Sequence, residues 1–334
     1  MRDQPGRRAG RPPGATATAP RTRERVFCAC APGIEELLLG ELAELGLDAR
    51  AVPGGALAEG PNAAALACLA SRLADAVHLR LWEGSAAELR QGKRAAARRA
   101  ADLPLLVRTA GGEASISVDA AGAPLYRRGW RARIGAAPLR ETLAAALLRA
   151  GGWRGDRPFC DPMCGSGTIA IEAALSAARR APGLDRALAL EALPGHDAAR
   201  LERLRASLRE AGRPVSVPIL ASDRNAGALR LARKNAEAAG VAEAIRFERC
   251  DAAAAPVPAG PGLCASNPPY GVRIDEGVTE AWRALGALMH RLGGWEVVVL
   301  APDRGLEKLL GVEPASATRV RNGGVACRIF TYRP

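Results

Sequence analysis

Four short stretches of the chain combine residue types that can do chemistry. The first, DPMCGSGT at 161–168, sets Asp161 just ahead of a tight loop carrying Gly165 and Gly167. Glycine lets the backbone approach a ligand closely, and the N–H groups that open the next helix face the same loop. The loop matches neither G-x-G-x-x-G nor G-x-x-x-x-G-K-S/T, so dinucleotide and nucleoside-triphosphate sites are not indicated. The second stretch, ILASDRN, ends an apolar run at Asp223, whose carboxylate can either hold ribose hydroxyls or cap the following helix. In the third, RFERCD, Asp251 stands where it can accept from an adenine amine or simply close a turn. The fourth is SNPPY at 266–270. Asn267 offers a carbonyl acceptor, and Pro268 and Pro269 remove donors and stiffen the chain. The carbonyls before and within the pair can accept, and Tyr270 can stack on a flat base. Together they suit an exocyclic NH₂ on an aromatic ring. Acceptors outside the ring plane let that nitrogen pyramidalise and expose its lone pair.

These stretches need a scaffold that brings them to one edge. From Pro158 onward strands alternate with helices, as in a parallel sheet with crossovers. The strand candidates are PFCDPM, VPILASD, AIRFERCD, GLCASNPP and WEVVVLAP. Three acidic residues and SNPPY then fall at successive strand ends, where open α/β sheets bind ligands. Gly167 and Asp223 are 56 positions apart, against about 20 in a plain dinucleotide fold. An insertion therefore occupies roughly 178–214, with an exposed helix over AARLERLRASLREAG. Asn322-Gly323-Gly324 between two apolar alternations predicts a closing antiparallel hairpin.

Upstream, Val26–Ala29 reads as a strand, 32–45 as a helix, and AALACLASRLADAVHLRLWEG as a helix running into a strand at 77–82. An Arg- and Ala-rich helix (86–101) and two strand candidates around Gly111-Gly112 complete a small α+β module. Residues 1–24 carry almost no large apolar side chain and are expected to be disordered. The expected domains are a basic tail (1–24), an α+β unit (25–122), a connecting segment with a helix started by Pro138 (123–157) and the α/β unit (158–334).

The chain of 334 residues carries a formal net charge of +12, with 47 Lys and Arg, of which only Lys93, Lys234 and Lys308 are lysines. Such a balance has two readings, a polyanionic partner or the residue usage of GC-rich coding. Eight scattered cysteines show no paired metal-ligand spacing, so no metal is expected and a reducing cytoplasm is the simplest setting. No stretch resembles a membrane span or a secretory signal.

DPMCGSGTIAIEAA, ASDRN, Cys250-Asp251 and SNPPYG resemble motifs I to IV of class I S-adenosylmethionine-dependent methyltransferases. LYRRGWR, GAAPLRETLAAALL and APGLD further resemble the THUMP-associated RNA guanine-N2 methyltransferases, which include the bacterial enzyme of 23S rRNA and tRNA-acting relatives. The resemblance implies a Rossmann-like methyltransferase domain, mostly parallel with a C-terminal antiparallel hairpin, behind a small ferredoxin-like, partial THUMP domain. It implies that Asp161, Cys164, Gly165, Ser166, Gly167 and Thr168 surround the methionine part of S-adenosylmethionine. It assigns Asp223 to the ribose, Asp251 to the adenine and Asn267–Tyr270 to a flipped-out guanine. Arg140 or Thr142 would touch the cofactor. The implied partner is RNA, with rRNA ahead of tRNA. The region between Trp82 and Leu125 is shorter than a full THUMP domain. Lys93, Arg94, Arg98 and Arg99 either compensate through phosphate contacts or form a solvated helix face. The competing readings are an amino-methyltransferase for tRNA guanine or for adenine, a non-catalytic RNA-binding assembly factor and, more distantly, a nicotinamide dehydrogenase. The oligomeric state is not encoded in these motifs.

Overall fold

The computed structural model describes residues 23–131, 139–270 and 276–334. The expectations for the basic tail through residue 22 and for Pro138 lie outside them. The chain first runs β1 (Arg23–Ala29), α1 (Glu35–Glu44), β2 (Asp48–Val52), β3 (Gly55–Pro61), α2 (Ala63–Ala70) and β4 (Ala76–Ser85). The strands order as β2-β3-β1-β4, all antiparallel, which is the ferredoxin-like arrangement. Val26, Cys28 and Val77 point from the sheet onto Ile34, Leu38, Leu42 and Ala67, all buried. α3 (Leu89–Ala100) and the hairpin β5 (Leu106–Ala110)–β6 (Glu113–Asp119) then widen the sheet to six strands through β6 on β4. In α3 Gly92, Ala96 and Ala100 face inward. Gly92 is required there, because a Cβ would stand 2.5 Å from the Trp82 indole.

The second sheet follows α4 (Glu141–Ala150). It holds β7 (Phe159–Asp161), then α5 (Thr168–Ala177), α6 (Ala198–Glu210), β8 (Ile219–Ser222), α7 (Ala226–Ala238) and β9 (Arg246–Glu248). β10 (Leu263–Ser266), α8 (Glu276–Met289), β11 (Glu296–Pro302) and the hairpin β12 (Ser316–Asn322)–β13 (Val325–Tyr332) complete it. The strand order is β12-β13-β11-β10-β7-β8-β9, with the β11-β10-β7-β8-β9 block parallel and β13 antiparallel to β11. From β7 the chain steps outward to β8 and β9 and then crosses back to β10 on the other side. A crevice therefore opens between the carboxyl ends of β7 and β10.

Several expectations shift in detail. The parallel strands are shorter than their apolar runs, since only three or four residues of β7 to β10 pair. Helix α4 starts at Glu141 rather than at Pro138, with Arg140 in extended backbone ahead of it. α6 is exposed on one side only, because Leu201 is buried and the helix packs against α2.

Among the links between the two units is one buried carboxylate. Glu172 on α5 is fully buried and pairs with Arg72 at 3.2 Å and Arg128 at 3.4 Å. Arg72 also donates to the Leu175 carbonyl at 3.0 Å, and Arg128 donates to the carbonyls of Leu125 at 2.7 Å and Arg72 at 2.6 Å. Removing one member of such a cluster strands the remaining charges out of water. Glu172→Ala is expected to lower the unfolding free energy by about 3–5 kcal/mol in urea denaturation. A loss below about 1 kcal/mol, the range of exposed pairs, would show that the cluster carries no weight.

Candidate active site

The motif stretches meet along one sheet edge, in the order Asn267 (after β10), Asp161 (end of β7), Asp223 (after β8) and Asp251 (beyond β9). Gly165 and Gly167 adopt φ of +52° and +84°, in the left-handed region that favours glycine. A Cβ on Gly167 would lie 3.0 Å from that of Ala232, whereas space beside Gly165 is open. The loop is closed by Gly167 N–H donating to the Cys164 carbonyl at 2.7 Å, and tied to β8 by Cys164 N–H donating to the Ser222 carbonyl at 2.9 Å.

Asp223 binds this loop directly. Its Oδ2 accepts from Gly165 N–H at 2.9 Å and its Oδ1 from Asn225 N–H at 2.8 Å. The cap of α7 is Asn225, which accepts from Gly227 and Ala228 N–H. The capping alternative for Asp223 therefore falls. Each of its oxygens keeps a lone pair for a further donor. Asp251 is exposed, and its Oδ1 accepts from Ala253 N–H at 3.0 Å, closing a one-turn helix. The plain turn role is thus present at that position.

At the crevice itself three polar atoms are buried without a partner among the described residues: Asp161 Oδ2, Ser266 Oγ and Asn267 Oδ1. Asp161 is 1% exposed, and its only hydrogen bond among the described residues is a 3.4 Å one from Met163 N–H to Oδ1. Burial pushes its carboxyl well above the ordinary aspartate range, and the Asp223 charge adds to the effect. Buried polar groups normally find partners, so three orphans at two adjacent strand ends mark a place shaped for a ligand with donors.

The SNPPY turn is held from outside the motif. Trp282 of α8, fully buried, donates its indole N–H to the Pro269 carbonyl at 3.0 Å. That carbonyl is an anchor of the turn rather than a free acceptor. Asn322, at the tip of β12, donates from Nδ2 to Tyr270 Oη at 2.6 Å. Burial holds the Tyr270 phenol up at about 12, so it stays a neutral ring. Pro268 is buried, while Asn267 and Tyr270 are half-buried and reachable.

Other side chains of the implied set already have partners within the protein. Thr168 is buried and its Oγ1 accepts from Arg131 Nη2 at 3.1 Å, so its hydroxyl is occupied. Arg131 also pairs with Glu141 at 3.3 Å. Ser166 presents its carbonyl to Asn235 Nδ2 at 2.9 Å. Thr142 and Arg140 turn to Asp75 of the first sheet, at 2.7 Å and 3.3 Å. Asn322, Trp282, Arg131 and Asn235 support the site, and sequence reading missed all four. Asn322 stood in plain view as a turn residue, but nothing local tied it to Tyr270. Among the described residues no group of three His, Cys, Asp or Glu side chains could hold a metal ion, and no helix is long and apolar enough to cross a membrane.

Residues 128–330 match the RMKL-like methyltransferase domain (UPF0020), and residues 25–78 match the RlmL ferredoxin-like domain. Among solved structures, SMU.472 in complex with SAH is 25% identical with a TM-score of 0.81, over 93% of this chain and 98% of that one. A Listeria monocytogenes protein described as a predicted N6-adenine-specific DNA methylase is 26% identical with a TM-score of 0.83, over 93% and 96%. TrmN from Thermus thermophilus is 25% identical with a TM-score of 0.65, over 93% and 99%. With its second sheet in this fold and its motif loop at the switch point, the chain belongs to the RMKL-like methyltransferase family and carries a class I S-adenosylmethionine-dependent methyltransferase domain behind an RlmL-type ferredoxin-like domain.

Proposed function

We propose that this protein methylates the exocyclic N2 amine of a guanine in RNA, with 23S rRNA as the first substrate and tRNA as the second. The observation that carries the reading is the set of unpartnered acceptors at the ends of β7 and β10, next to the half-buried Tyr270 ring. S-adenosylmethionine, when bound, supplies a methyl group on a sulfonium centre. The Asp161 and Cys164–Thr168 loop lines its methionine part, with Thr168 contributing backbone because its hydroxyl is already used. Asp223 takes the ribose through its spare lone pairs and Asp251 the adenine through its second oxygen. Asn267 Oδ1 accepts from the target amine, and Tyr270 lies against the base. Pro268 and Pro269 keep this acceptor set rigid, with the Trp282 bond fixing the far side. Positioning does most of the catalytic work, since the methylated ammonium gives up its proton readily. RNA as the polymer draws on the net charge of +12 and on the RlmL-type front domain. Guanine draws on LYRRGWR and GAAPLRETLAAALL. The same acceptor set suits adenine N6, a reading favoured by the likeness to the Listeria protein.

The raised Asp161 pKa has a sign. A carboxyl that binds its proton more tightly when folded makes the native state lose stability as pH rises past the ordinary aspartate range. Unliganded Asp161→Asn should therefore match wild type at low pH and melt higher at pH 8. The same variant should bind S-adenosylhomocysteine about 10-fold more weakly or worse, the loss of one charge-assisted hydrogen bond. Parallel pH–stability curves for the two proteins would exclude Asp161 as the carrier.

Asn322→Ala frees the Tyr270 hydroxyl without touching the cofactor loop. We expect a raised KM for RNA with S-adenosylhomocysteine affinity unchanged; a matching fall in cofactor affinity would contradict the separation of the two halves. Nucleoside mass spectrometry of rRNA and tRNA from a gene deletion should show loss of N2-methylguanosine from 23S rRNA, restored by wild type and not by Asn267→Ala. Loss from tRNA alone would move the substrate to tRNA, loss of N6-methyladenosine would move it to adenine, and absence of S-adenosylhomocysteine binding would end the enzyme reading.

A further inference from the structure

A second polar cavity lies away from the crevice. The insertion leaves α5 at its C-terminus and re-enters the sheet at the start of β8, so it stands at the sheet edge opposite the carboxyl strand ends. There it folds against the first sheet, with Leu190 N–H donating to the Ala120 carbonyl at 3.0 Å. Between the insertion, α3 and strands β1 and β4 remains a cleft of about 590 Å³. Leu79, Leu81, Leu190, Leu193 and Leu204 form its apolar lining.

The cleft's charge is unbalanced. Arg23, Arg25, Arg80, Arg98, Arg99 and Arg200 line it against Glu24, Glu83 and Asp197. The carboxylates are already engaged. Glu24 accepts from Ala64 N–H at 2.9 Å, Glu83 pairs with Arg25 and Arg80, and Asp197 accepts from Arg200 N–H at 2.9 Å. By contrast, the guanidinium groups of Arg98 and Arg200 make no hydrogen bond or ion pair among the described residues. His196 Nε2 is buried within the same wall and has no partner among the described residues.

Helix α3 carries this surplus out of the cleft. Arg90, Arg94 and Arg98 recur every four residues on its exposed side, and neither Arg90 nor Arg94 has a partner among the described residues. Like charges at that spacing repel by about 0.2–0.5 kcal/mol per pair, and α3 contains no acidic residue to offset them. The stripe runs for about 12 Å at 1.5 Å per residue. A single phosphate cannot span it, whereas a phosphodiester backbone can.

We propose that the cleft between α3 and the insertion, with the Arg90-Arg94-Arg98 stripe leading into it, is a second nucleic-acid contact that holds the phosphate backbone of an RNA strand remote from the methyl-transfer crevice. This rests on the reading of the substrate as RNA. Arg98, Arg200 and His196 would meet phosphate oxygens inside the cleft, and Arg90 and Arg94 the strand that leaves it. Contacts of this kind position the polymer without reading its sequence.

The test uses the full chain and a short fluorescein-labelled single-stranded RNA, followed by anisotropy across a salt series. The double variant Arg98→Gln/Arg200→Gln is expected to bind about 10-fold more weakly at low salt, with the log–log salt slope reduced by about 1.4, two phosphates' worth for a single strand. Calorimetric affinity for S-adenosylhomocysteine should not change, which also verifies folding. Unchanged RNA affinity and slope would overturn the proposal. So would inorganic phosphate that binds wild type but not the variant while RNA affinity stays the same, since that marks a small-anion site. If the variant unfolds, wild type is crosslinked to RNA containing 4-thiouridine. Crosslinks within 190–204 support the cleft, and their confinement to 161–168 and 266–270 overturns it. A protein that loses RNA binding in the variant yet transfers no methyl group sinks the catalytic reading alone. One that methylates RNA with unaltered binding in the variant sinks the cleft alone.

Discussion

Glu172 holds a negative charge where no water reaches, and the relation between the two halves of the molecule depends on it. Its two partners come from different places: Arg72 from the loop between α2 and β4 of the ferredoxin-like unit, Arg128 from the connecting segment. Both arginines spend their remaining donors on carbonyls, including that of Leu175 near the end of α5. A buried charge pair adds little net stability, but a half-made one is costly. The cluster therefore acts by excluding other arrangements. α5 is the helix that starts at the glycine loop, so fixing it against the front unit also fixes the loop relative to any polymer held there.

The crevice follows from topology more than from any single motif. Because the chain reverses direction between β9 and β10, two neighbouring strands, β7 and β10, end without a crossover covering them. Asp161, Ser266 and Asn267 are at those ends, and the fold leaves their polar atoms unsatisfied. Many buried groups elsewhere are satisfied, as the arginines that bind carbonyls around 72, 128, 180 and 186 show, although His196 Nε2, Arg157 Nε and Tyr332 Oη are among those that are not. What makes the crevice set informative is its clustering, three orphans at two adjacent strand ends. At that edge hydrogen bonding is left open where a ligand can supply it.

What was legible in the sequence was whatever local chemistry determines. β11 announces itself through Val297, Val298, Val299 and Leu300, whose branched side chains suit a strand buried on both faces. Gly323-Gly324 between two alternating runs could only be a tight hairpin. β2 and β3 give little strand signal because DARAV and GALAEGP consist largely of Ala, Gly, Asp, Glu and Pro, which strands disfavour. Tertiary pairing with β1 supplies what propensity does not. The ordering of motifs on one edge was also legible, since it needs only the alternation of strands and helices. Which atom each motif residue uses was not. Asp223 and Asn225 are two positions apart and chemically similar, and only the Gly165 N–H shows which one serves the loop. Thr142 and Arg140 were read toward the cofactor but face Asp75, a partner 65 or more positions away. Arg131, Trp282 and Asn322 likewise act across distances at which sequence spacing says nothing.

The bond from Asn322 to Tyr270 gives the last hairpin a part in timing. The cofactor half of the crevice is complete once β10 has formed, but the ring against which the base would rest is not fixed until residue 322 has folded back onto it. β12 reaches the sheet only through β13, and β13 only through β11, so it docks once both are in place. A nascent chain emerging from a ribosome could therefore hold the small molecule well before it could grip a base. Full assembly of the fold thus becomes the condition for fixing that ring, a dependence that a site built wholly from early strands would not have.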